Sequence, residues 1–406
     1  MFVSVARRAD PEGAGKAALL VVGGTARSRG VVCSASYEAR QYGLHAGMSI
    51  ARAVRLCPQA MYVPVPGKEI QEAHRHIRNV LGRWAPVVEP ASVDEFYLDL
   101  TGTERLYHHE SLTATAERIR ESVRRETGFT LSIGGSTNRL IAKMAAERAK
   151  PRPGSRATGI LIVAPGDEAG FMAERTLAEI PGVGPKLQAE LKRRGLTLVR
   201  EALALDQKTL TTWVGNATGR WLFRCIRGEG SGEVEIRPEN KSISHETTFS
   251  KDLSSDESLE SRLLRLLTAL TAQLRADRLA TRCITVKLRD HDFRTRQAGR
   301  TLREPLSTDR ALFGVAKELL GRLRAERRVP ARLIGVSLSS LQSTDGPLQF
   351  ELPIPGAPSG ETARDRVLAD AVDTIAKKLG SSAIRPARLA GAPASRIHFS
   401  FPPPRP

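Results

Sequence analysis

The stretch SVDEFYLDL at residues 92–100 places two adjacent carboxylates, Asp94 and Glu95, ahead of an apolar alternation that is typical of a β-strand. Successive strand side chains point to opposite faces, so the apolar residues that alternate from Phe96 onward should share one face. Acids at the start of such a strand form either a solvated strand end or a ledge that binds metal ions. By itself the stretch favours a solvated strand end. A metal-binding site would need support from residues elsewhere in the chain.

The bulk composition is that of an ordinary folded protein. The chain has 406 residues, of which 41% are hydrophobic and 5% aromatic, enough for several domains with real cores. It contains no run of about 18 apolar residues, the length that spans a membrane. Its start, MFVSVARRADPEG, lacks the basic-then-apolar order of a secretory signal. We therefore expect a cytoplasmic protein without a membrane segment.

The charge of the chain favours a polyanionic partner. The formal net charge is +18, and residues 241–341 hold 20 Lys and Arg against 12 Asp and Glu, a net +8. Nucleic acid is the commonest polyanion in a cytoplasm, although a ribosomal or salt-adapted protein would show the same balance. The four cysteines form no CxxC pair and have no clustered histidines, so we expect reduced thiols rather than a disulfide or zinc site.

The periodicity of apolar residues predicts an α+β protein of several domains. Helices are predicted at 49–56, 69–84, 111–127, 138–150, 259–277 and 310–327, and strands at 18–22, 31–33, 92–100, 129–134, 158–163, 283–288 and 333–338. Residues 66–165 follow a β-α-β-β-α-β-like order whose first strand is absent. Residues 174–235 are mainly helical. Beyond 342 the Pro, Gly, Ala and Ser content predicts a mostly unstructured tail with one short helix at 367–379.

The segment IPGVGPK at residues 180–186 has the pattern of a helix-hairpin-helix motif. Gly182 and Gly184, on either side of Val183, permit a tight turn whose N–H groups point at one phosphate, and the helix that follows from Lys186 adds its positive end. Such a contact reads no base, so it indicates sequence-independent DNA binding. An ordinary turn between helices is the alternative. A weaker version of the motif lies at 214–219.

Two further groups of residues suit phosphate binding. In CSASYEAR, Ser34, Tyr37 and Arg40 are spaced three and three, so on one helical turn they would face the same side. Arginine binds phosphate oxygens through a bidentate fork. A solvated helix start explains the same residues, and Lys150 in RAKP equally suits a helix C-terminus without any ligand.

Together these motifs resemble one family. SVDEFYLDL, CSASYEAR, NRLIAKMAAERAKP, IPGVGPK and KSISHETTF occur here in the order found in the Y-family DNA polymerases of the lesion-bypass polymerase IV type, and the resemblance covers residues 1–341. It implies a multidomain right-hand polymerase. The implied parts are small fingers at 1–65, a ferredoxin-like palm at 66–165, a helical thumb with the helix-hairpin-helix at 166–240, an α+β little finger at 241–341 and a tail at 342–406.

The resemblance also implies roles for single residues. Asp94 looks like a ligand of two Mg²⁺ ions and Glu95 like its catalytic neighbour. Ser34, Tyr37, Arg40 and Lys150 match the positions that hold the incoming dNTP, with Ser34 where the family often has Thr. Phe2 resembles the aromatic steric gate that excludes a ribose. Gly182, Val183, Gly184 and Lys186 would contact primer-template DNA, and 349–354 (QFELPI) partly resembles a sliding-clamp peptide, with Pro353 in place of an apolar residue.

One carboxylate of the family pattern is not found. The Asp that bridges both metal ions belongs to the first palm strand, ahead of the steric gate, and Asp10 lies after the gate in a turn-like segment. Either the natural chain is longer at its N-terminus, or this is a catalytically inactive DNA-binding accessory subunit of a mutagenic complex. The first explanation is favoured, because a palm without a central strand loses more than a typical stability of ~5–15 kcal/mol. The predicted function is therefore low-fidelity DNA synthesis past damaged bases.

Overall fold

The N-terminal part of the chain is built on a small three-stranded sheet with the order β2-β1-β3. The computed structural model describes residues 1–151, 154, 156–234, 240–344, 360–380 and 383–389. The N-terminal elements are α1 (Phe2–Ala9), β1 (Leu20–Val22), β2 (Ser34–Ala35), α2 (Tyr37–Arg40), α3 (Ile50–Leu56) and β3 (Met61–Val63). Strand β1 is fully buried, and α1 contacts both this sheet and the next part of the fold.

The central part of the chain contains two separate pairs of strands. Its elements are α4 (Gly67–Leu81), β4 (Val87–Pro90), β5 (Phe96–Asp99), α5 (Leu112–Thr127), β6 (Ile133–Gly135), α6 (Arg139–Ala149) and β7 (Ile160–Ile162). Strands β4 and β5 form an antiparallel hairpin, whereas β6 and β7 pair in parallel. Over residues 66–151 and 156–165 no ladder joins the two pairs.

The prediction that residues 174–235 are mainly helical is confirmed up to Cys225, whereas residues 226–234 contain no helix. The helices are α7 (Glu168–Ala173), α8 (Pro185–Arg193), α9 (Val199–Leu203), α10 (Gln207–Val214) and α11 (Asn216–Cys225), with a short 3₁₀ turn at Leu177–Glu179. They enclose an apolar core around Leu191, Leu210 and Leu222. A Cβ on Gly219 would lie 2.4 Å from the backbone of Thr211, so glycine is needed where α10 and α11 cross.

The C-terminal unit is a four-stranded antiparallel sheet with two helices on one face. It consists of β8 (Ser242–Leu253), α12 (Asp256–Ala276), β9 (Leu279–Asp290), β10 (Thr295–Leu306), α13 (Asp309–Glu326) and β11 (Ala331–Ser343), in the strand order β10-β9-β11-β8. Ile284, Val286 and Leu288 are fully buried against the helices. The alternate residues of β9, including Lys287 and Arg289, are therefore on the other, helix-free face.

The tail contains a helix that is anchored on the C-terminal unit. Helix α14 (Ala363–Leu379) is longer than the predicted one at 367–379. Arg275 at the end of α12 makes two hydrogen bonds to Asp373, of 2.7 and 2.9 Å. Leu389, after α14, is buried. The predicted helix in the tail is thus confirmed and begins four residues earlier than expected, while the clamp-like residues 349–354 lie outside the described residues.

Other predictions from periodicity need correction. Residues 31–33 form no strand; Val31 makes only an isolated bridge to Ser49, and the strand starts at Ser34. Of the predicted strand at 129–134, the observed β6 covers only its end. All four cysteines are free thiols, as expected. Across the described ranges, no helix has the length and apolar character needed to cross a membrane.

Candidate active site

The acid pair lies in the tight turn of the β4–β5 hairpin, directly before β5. The N–H groups of Ala91 and Ser92 donate to the carbonyl of Glu95, at 3.0 and 3.2 Å, and close the turn. The Ser92 hydroxyl donates to Asp94 Oδ1 at 3.0 Å. Asp94 is exposed and Glu95 half-buried, so both carboxylates can reach a ligand in solution. The predicted strand with acids at its start is therefore confirmed.

The two faces of β5 differ as the alternation predicts. Phe96 and Leu98 pack against the apolar cluster of α4 and α5, and the Phe96 ring stacks on His74 with centroids 4.9 Å apart. His74 is in turn hydrogen-bonded to the carbonyl of Val93, at 2.9 Å. On the other face, Tyr97 lies under the guanidinium of Arg139, at 4.3 Å. These contacts fix the strand on which the acid pair depends.

The three residues of CSASYEAR approach the same cleft from two elements. Ser34 lies on β2, while Tyr37 and Arg40 lie on α2, so the prediction that all three share one helical turn is wrong. The reason is Ser36, whose side chain caps α2 by accepting from the Ala39 N–H and thereby starts the helix after Ser34. The Arg40 guanidinium is held by a 3.0 Å hydrogen bond to the Ala35 carbonyl.

Lys150 ends α6 on the opposite side of the cleft, where it pairs with Glu147. The amino group of Met1 lies within electrostatic range of Asp94, Lys150 and Arg40. Burial lowers the pKa of this amine, Asp94 opposes the shift, and Lys150 and Arg40 add to it. Charged groups from the β4–β5 turn, α2 and α6 therefore surround the start of α1.

A cleft of about 1660 Å³ connects these groups. It runs between β5 and β6, and its walls include six polar candidates from the sequence: Ser34, Tyr37, Arg40, Asp94, Glu95 and Lys150. In the sequence these residues belong to separate motifs that are spread over more than a hundred positions. The fold brings them to one site.

Phe2 lies beside this cleft rather than on its wall. It is half-buried at the start of α1 and packs against the apolar clusters around Val5 and Val22. The neighbouring residues Met1, Val3 and Ser4 line the cleft. Asp10, at the end of α1, accepts hydrogen bonds from the N–H groups of Gly13 and Ala14, which lower its pKa. It belongs to a turn, as predicted.

The IPGVGPK segment forms a glycine turn in front of α8. Gly182 has a φ of +100°, which favours glycine, and Val183 is buried in the helical core. Gly184 is the N-cap of α8 with a φ of −79°, and no atom lies within 4 Å of a Cβ built there. Nothing inside the protein therefore requires glycine at 184, and the open space suits the close approach of an external group.

The acid pair has the donor chemistry of a hard divalent cation. Mg²⁺ prefers oxygen ligands and is usually bound by one or two carboxylates together with water and substrate phosphates. Asp94 and Glu95 supply two such carboxylates on an accessible turn. Among the residues that the structure describes, no group of three or more His, Cys, Asp or Glu side chains is placed to hold a metal ion. Two carboxylates alone suit a hard divalent cation only if its remaining ligands come from water or from a bound phosphate.

Comparison with known proteins agrees with this site. The sequence profile of the impB/mucB/samB family matches residues 1–147, and that of its C-terminal domain matches residues 240–352. The DNA polymerase IV of Dehalococcoides mccartyi is 34% identical over 387 residues, which cover 95% of this chain and 94% of the relative. A chimeric Y-family DNA polymerase built from Dbh and Dpo4 matches with a TM-score of 0.72 at 26% identity, over 84% of this chain and 96% of the chimera. The chain belongs to the Y-family of DNA polymerases.

Other relatives place this Y-family polymerase with the polymerase IV type. The DNA polymerase IV of Caulobacter vibrioides is 34% identical over 385 residues, 94% of this chain and 90% of the relative. DinB from Sulfolobus solfataricus is 26% identical with a TM-score of 0.55, over 83% of this chain and 95% of that structure. The multidomain α+β polymerase fold and the assignment as a DNA-directed DNA polymerase are thereby established.

Two cations that contact the β4–β5 hairpin and its turn were not singled out from the sequence. Lys143 Nζ lies 2.8 Å from Glu95 Oε2, and Arg139 Nη2 lies 2.7 Å from Glu89 Oε1. Both lie on α6. Lys143 follows Arg139 by four residues, and Lys150 follows Lys143 by seven. A signal was present, because these spacings put three cations on one helix face. It was missed because Lys and Arg at helical spacing also occur on any solvated helix.

Proposed function

We propose that this Y-family polymerase performs template-directed DNA synthesis past damaged bases, with low fidelity and low processivity. The observation that supports the proposal best is the convergence of the Asp94–Glu95 turn with Arg40 and Lys150 on one cleft. A triphosphate brings several negative charges next to two carboxylates. Cations on the opposite walls offset that repulsion and hold the substrate in a fixed orientation.

Each site residue then has a physical role. Tyr37, Arg40 and Lys150 would hold the phosphates of the incoming dNTP, with the Ser34 hydroxyl as a further donor. Asp94 and Glu95 would hold Mg²⁺, which would supply Lewis-acid activation of the primer 3′-hydroxyl and offset charge on the reacting phosphate; a two-metal reaction would need a bridging carboxylate in addition to these two. Tyr37 is 48% exposed, so its phenol is accessible to a bound triphosphate. Phe2, beside the cleft, remains the candidate for the steric gate.

DNA binding is proposed for two surfaces. The N–H groups of Val183 and Gly184 donate within the turn, to the carbonyls of Ile180 and Gly182 at 3.0 and 3.1 Å, so a DNA phosphate would meet the positive end of α8, where Lys186 lies in the first turn. The helix-free face of the C-terminal sheet presents small hydroxyl residues together with Lys287 and Arg289. Neither surface offers a pattern of base-reading side chains. Both suit a grip on the phosphate backbone that is independent of sequence.

The proposal extends to location and to partners. Primer-template DNA and dNTPs are the substrates, and a cytoplasmic location follows from them. Residues 349–354 are proposed as a sliding-clamp peptide on sequence grounds alone. The division into fingers, palm, thumb and little finger at 65, 165, 240 and 341 is part of the same proposal.

Primer extension on matched templates tests the proposal. We expect the purified protein with Mg²⁺ to insert nucleotides opposite an abasic site at a rate within about ten-fold of that opposite an undamaged base, a difference of about 1.4 kcal/mol in the barrier. It should release the DNA after few insertions. Tight DNA binding without any insertion, on either template, would contradict the proposal for these 406 residues. The same assay with the N-terminus extended by a strand that carries the bridging carboxylate then separates the two explanations: restored insertion supports a polymerase, and continued inactivity supports the accessory-subunit alternative.

A further inference from the structure

We infer that Lys143 is a positioning residue that fixes the Glu95 carboxylate for metal binding, an inference that rests on the proposed function. Lys143 Nζ donates to Glu95 Oε2 at 2.8 Å across 48 positions of sequence. The side chains are 29% and 44% exposed, so the pair is partly shielded from water. It lies at the wall of the cleft that also holds Asp94.

The position of Lys143 is set by a rigid helix. Ile141 and Ala145, on either side of it in α6, are fully buried. The Asn138 side chain caps α6 through the Ile141 N–H at 3.1 Å and also donates to the Gly228 carbonyl at 3.0 Å. Strand β6 approaches so closely that a Cβ on Gly134 would lie 2.2 Å from the Ala142 carbonyl oxygen. The packing of α6 therefore holds the Lys143 ammonium group in a fixed position.

The Glu95 side chain depends on α6 for its position more than the Asp94 side chain does. Asp94 is held from within its own turn by the Ser92 hydroxyl. Glu95 contributes its backbone carbonyl to the turn, while its carboxylate is bonded to Lys143 on a different element. The other two cations on this face of α6 bind non-catalytic acids: Arg139 binds Glu89 and Lys150 binds Glu147. Of the three, Lys143 is the one that acts on the acid pair.

The expected consequence is a loss of metal affinity and rate without a loss of DNA binding. Hydrogen-bond partners that orient metal-ligating carboxylates typically change metal affinity or activity by about 10–100-fold when removed. A Lys143→Met variant keeps the length and packing of the stem and removes the charge. Arginine retains the charge and a donor, so Lys143→Arg should recover most of the function. Arg148→Ala is the matched control, because Arg148 lies on the same helix but pairs with Glu179 at 3.3 Å.

The experiment measures Mn²⁺ binding by electron paramagnetic resonance on complexes with a dideoxy-terminated primer-template and the matching dNTP, alongside single-turnover extension. We expect Lys143→Met to weaken Mn²⁺ binding and slow extension by about 10–100-fold, with primer-template affinity unchanged. Lys143→Arg should lie near the wild type and Arg148→Ala should equal it. In a Glu95→Gln background, Lys143→Met should add no further loss, because the lysine acts through that carboxylate.

Two results would overturn the inference. Mn²⁺ binding by Lys143→Met that equals the wild type would show that the lysine does not position Glu95. A full additional loss in the Glu95→Gln background would show that it acts elsewhere. If the wild type itself bound no Mn²⁺ at this site, the metal part of the proposed function would fail and the inference with it. Mn²⁺ binding is measured without extension, so it distinguishes a loss of metal binding from a loss of catalysis.

Discussion

Arg139 Nη2 donates to Glu89 Oε1 at 2.7 Å and thereby ties α6 to the hairpin that carries the acid turn. Glu89 is 6% exposed, so its carboxylate is desolvated and depends on charged and hydrogen-bonded partners. Removing one partner of a buried ion pair commonly costs about 3–5 kcal/mol, because a buried charge remains. The ion pair therefore stabilises the position of α6 relative to the β4–β5 hairpin.

We predict that Arg139→Ala lowers the free energy of unfolding by about 3 kcal/mol in urea denaturation. The Glu89→Gln/Arg139→Ala double variant should recover part of this loss, since it leaves no buried charge behind. Arg139→Ala with unchanged unfolding would show that the ion pair contributes little.

A second prediction concerns the close approach of β6 to α6. A Cβ on Gly134 would lie 2.2 Å from both Ala142 O and Ala146 N, and both are backbone atoms that cannot rotate away. We expect Gly134→Ala to destabilise by about 3 kcal/mol and to slow extension by displacing Lys143 and Lys150. Gly314→Ala, in α13 where nothing lies within 4 Å of the added Cβ, should instead stabilise by about 0.5–1 kcal/mol. The melting temperatures of the two variants test this contrast, and equal changes in both would refute it.

A third prediction concerns the anchoring of α14. The Arg275 side chain is 10% exposed and contacts Asp373 on α14 as well as Asp309 on α13, the latter at 2.9 Å. We expect Arg275→Ala to raise amide hydrogen exchange across α14 by about ten-fold or more, which corresponds to about 1.4 kcal/mol or more. Exchange in β9 should stay slow. Arg364→Ala, at an exposed position of the same helix, is the control and should leave exchange in α14 as it is.

A fourth prediction uses the turn between β9 and β10. A hydrogen bond from Arg327 lowers the pKa of Asp292 from its ordinary 3.8 to about 2, helped by the Arg294 N–H. A carboxyl whose pKa is depressed on folding stabilises above its unfolded pKa and loses that effect as the pH falls through its folded pKa. The difference in urea midpoint between wild type and Asp292→Asn should therefore be constant above pH 5 and vanish between about pH 4 and 2. A difference that grows on acidification would contradict this sign.

A fifth prediction concerns the clamp-like peptide at 349–354. Deleting the whole tail would also remove α14, which is docked on the C-terminal unit, so a substitution is the cleaner test. Gln349→Ala/Leu352→Ala should leave unassisted extension unchanged and reduce stimulation by a sliding clamp. Stimulation equal to that of the wild type would refute the assignment.

Much of the fold was predictable because strong local signals agree with tertiary packing. Helix α5 begins after Ser111, whose side chain accepts from the Ala114 N–H, and ends at Gly128 with a φ of +68°. Strand β5 was readable because its two faces differ in polarity. By contrast, β8 and β10 are edge strands with one solvated face, and sequences such as TRQAGRTLREPL carry too few apolar residues to be recognised.

The site was predictable only in part, for a similar reason. Asp94, Glu95, Tyr37, Arg40 and Lys150 were found through motifs. The contact of Lys143 with Glu95 spans 48 positions and depends on how α6 packs against β6. No local pattern distinguishes such a lysine from one on a solvated helix face. Its partner becomes apparent only when the hairpin and the helix are placed together.

The most direct test of the central claim, that the Asp94–Glu95 turn is the catalytic centre, is single-turnover primer extension by wild type, Asp94→Asn and Asp99→Asn. Asp99 ends the same strand and accepts from the Thr101 N–H at 2.9 Å, so it controls for a charge lost from β5. We predict that Asp94→Asn slows extension by at least about 100-fold, while Asp99→Asn stays close to the wild type and all three bind DNA equally. Extension by Asp94→Asn at the wild-type rate would contradict the account.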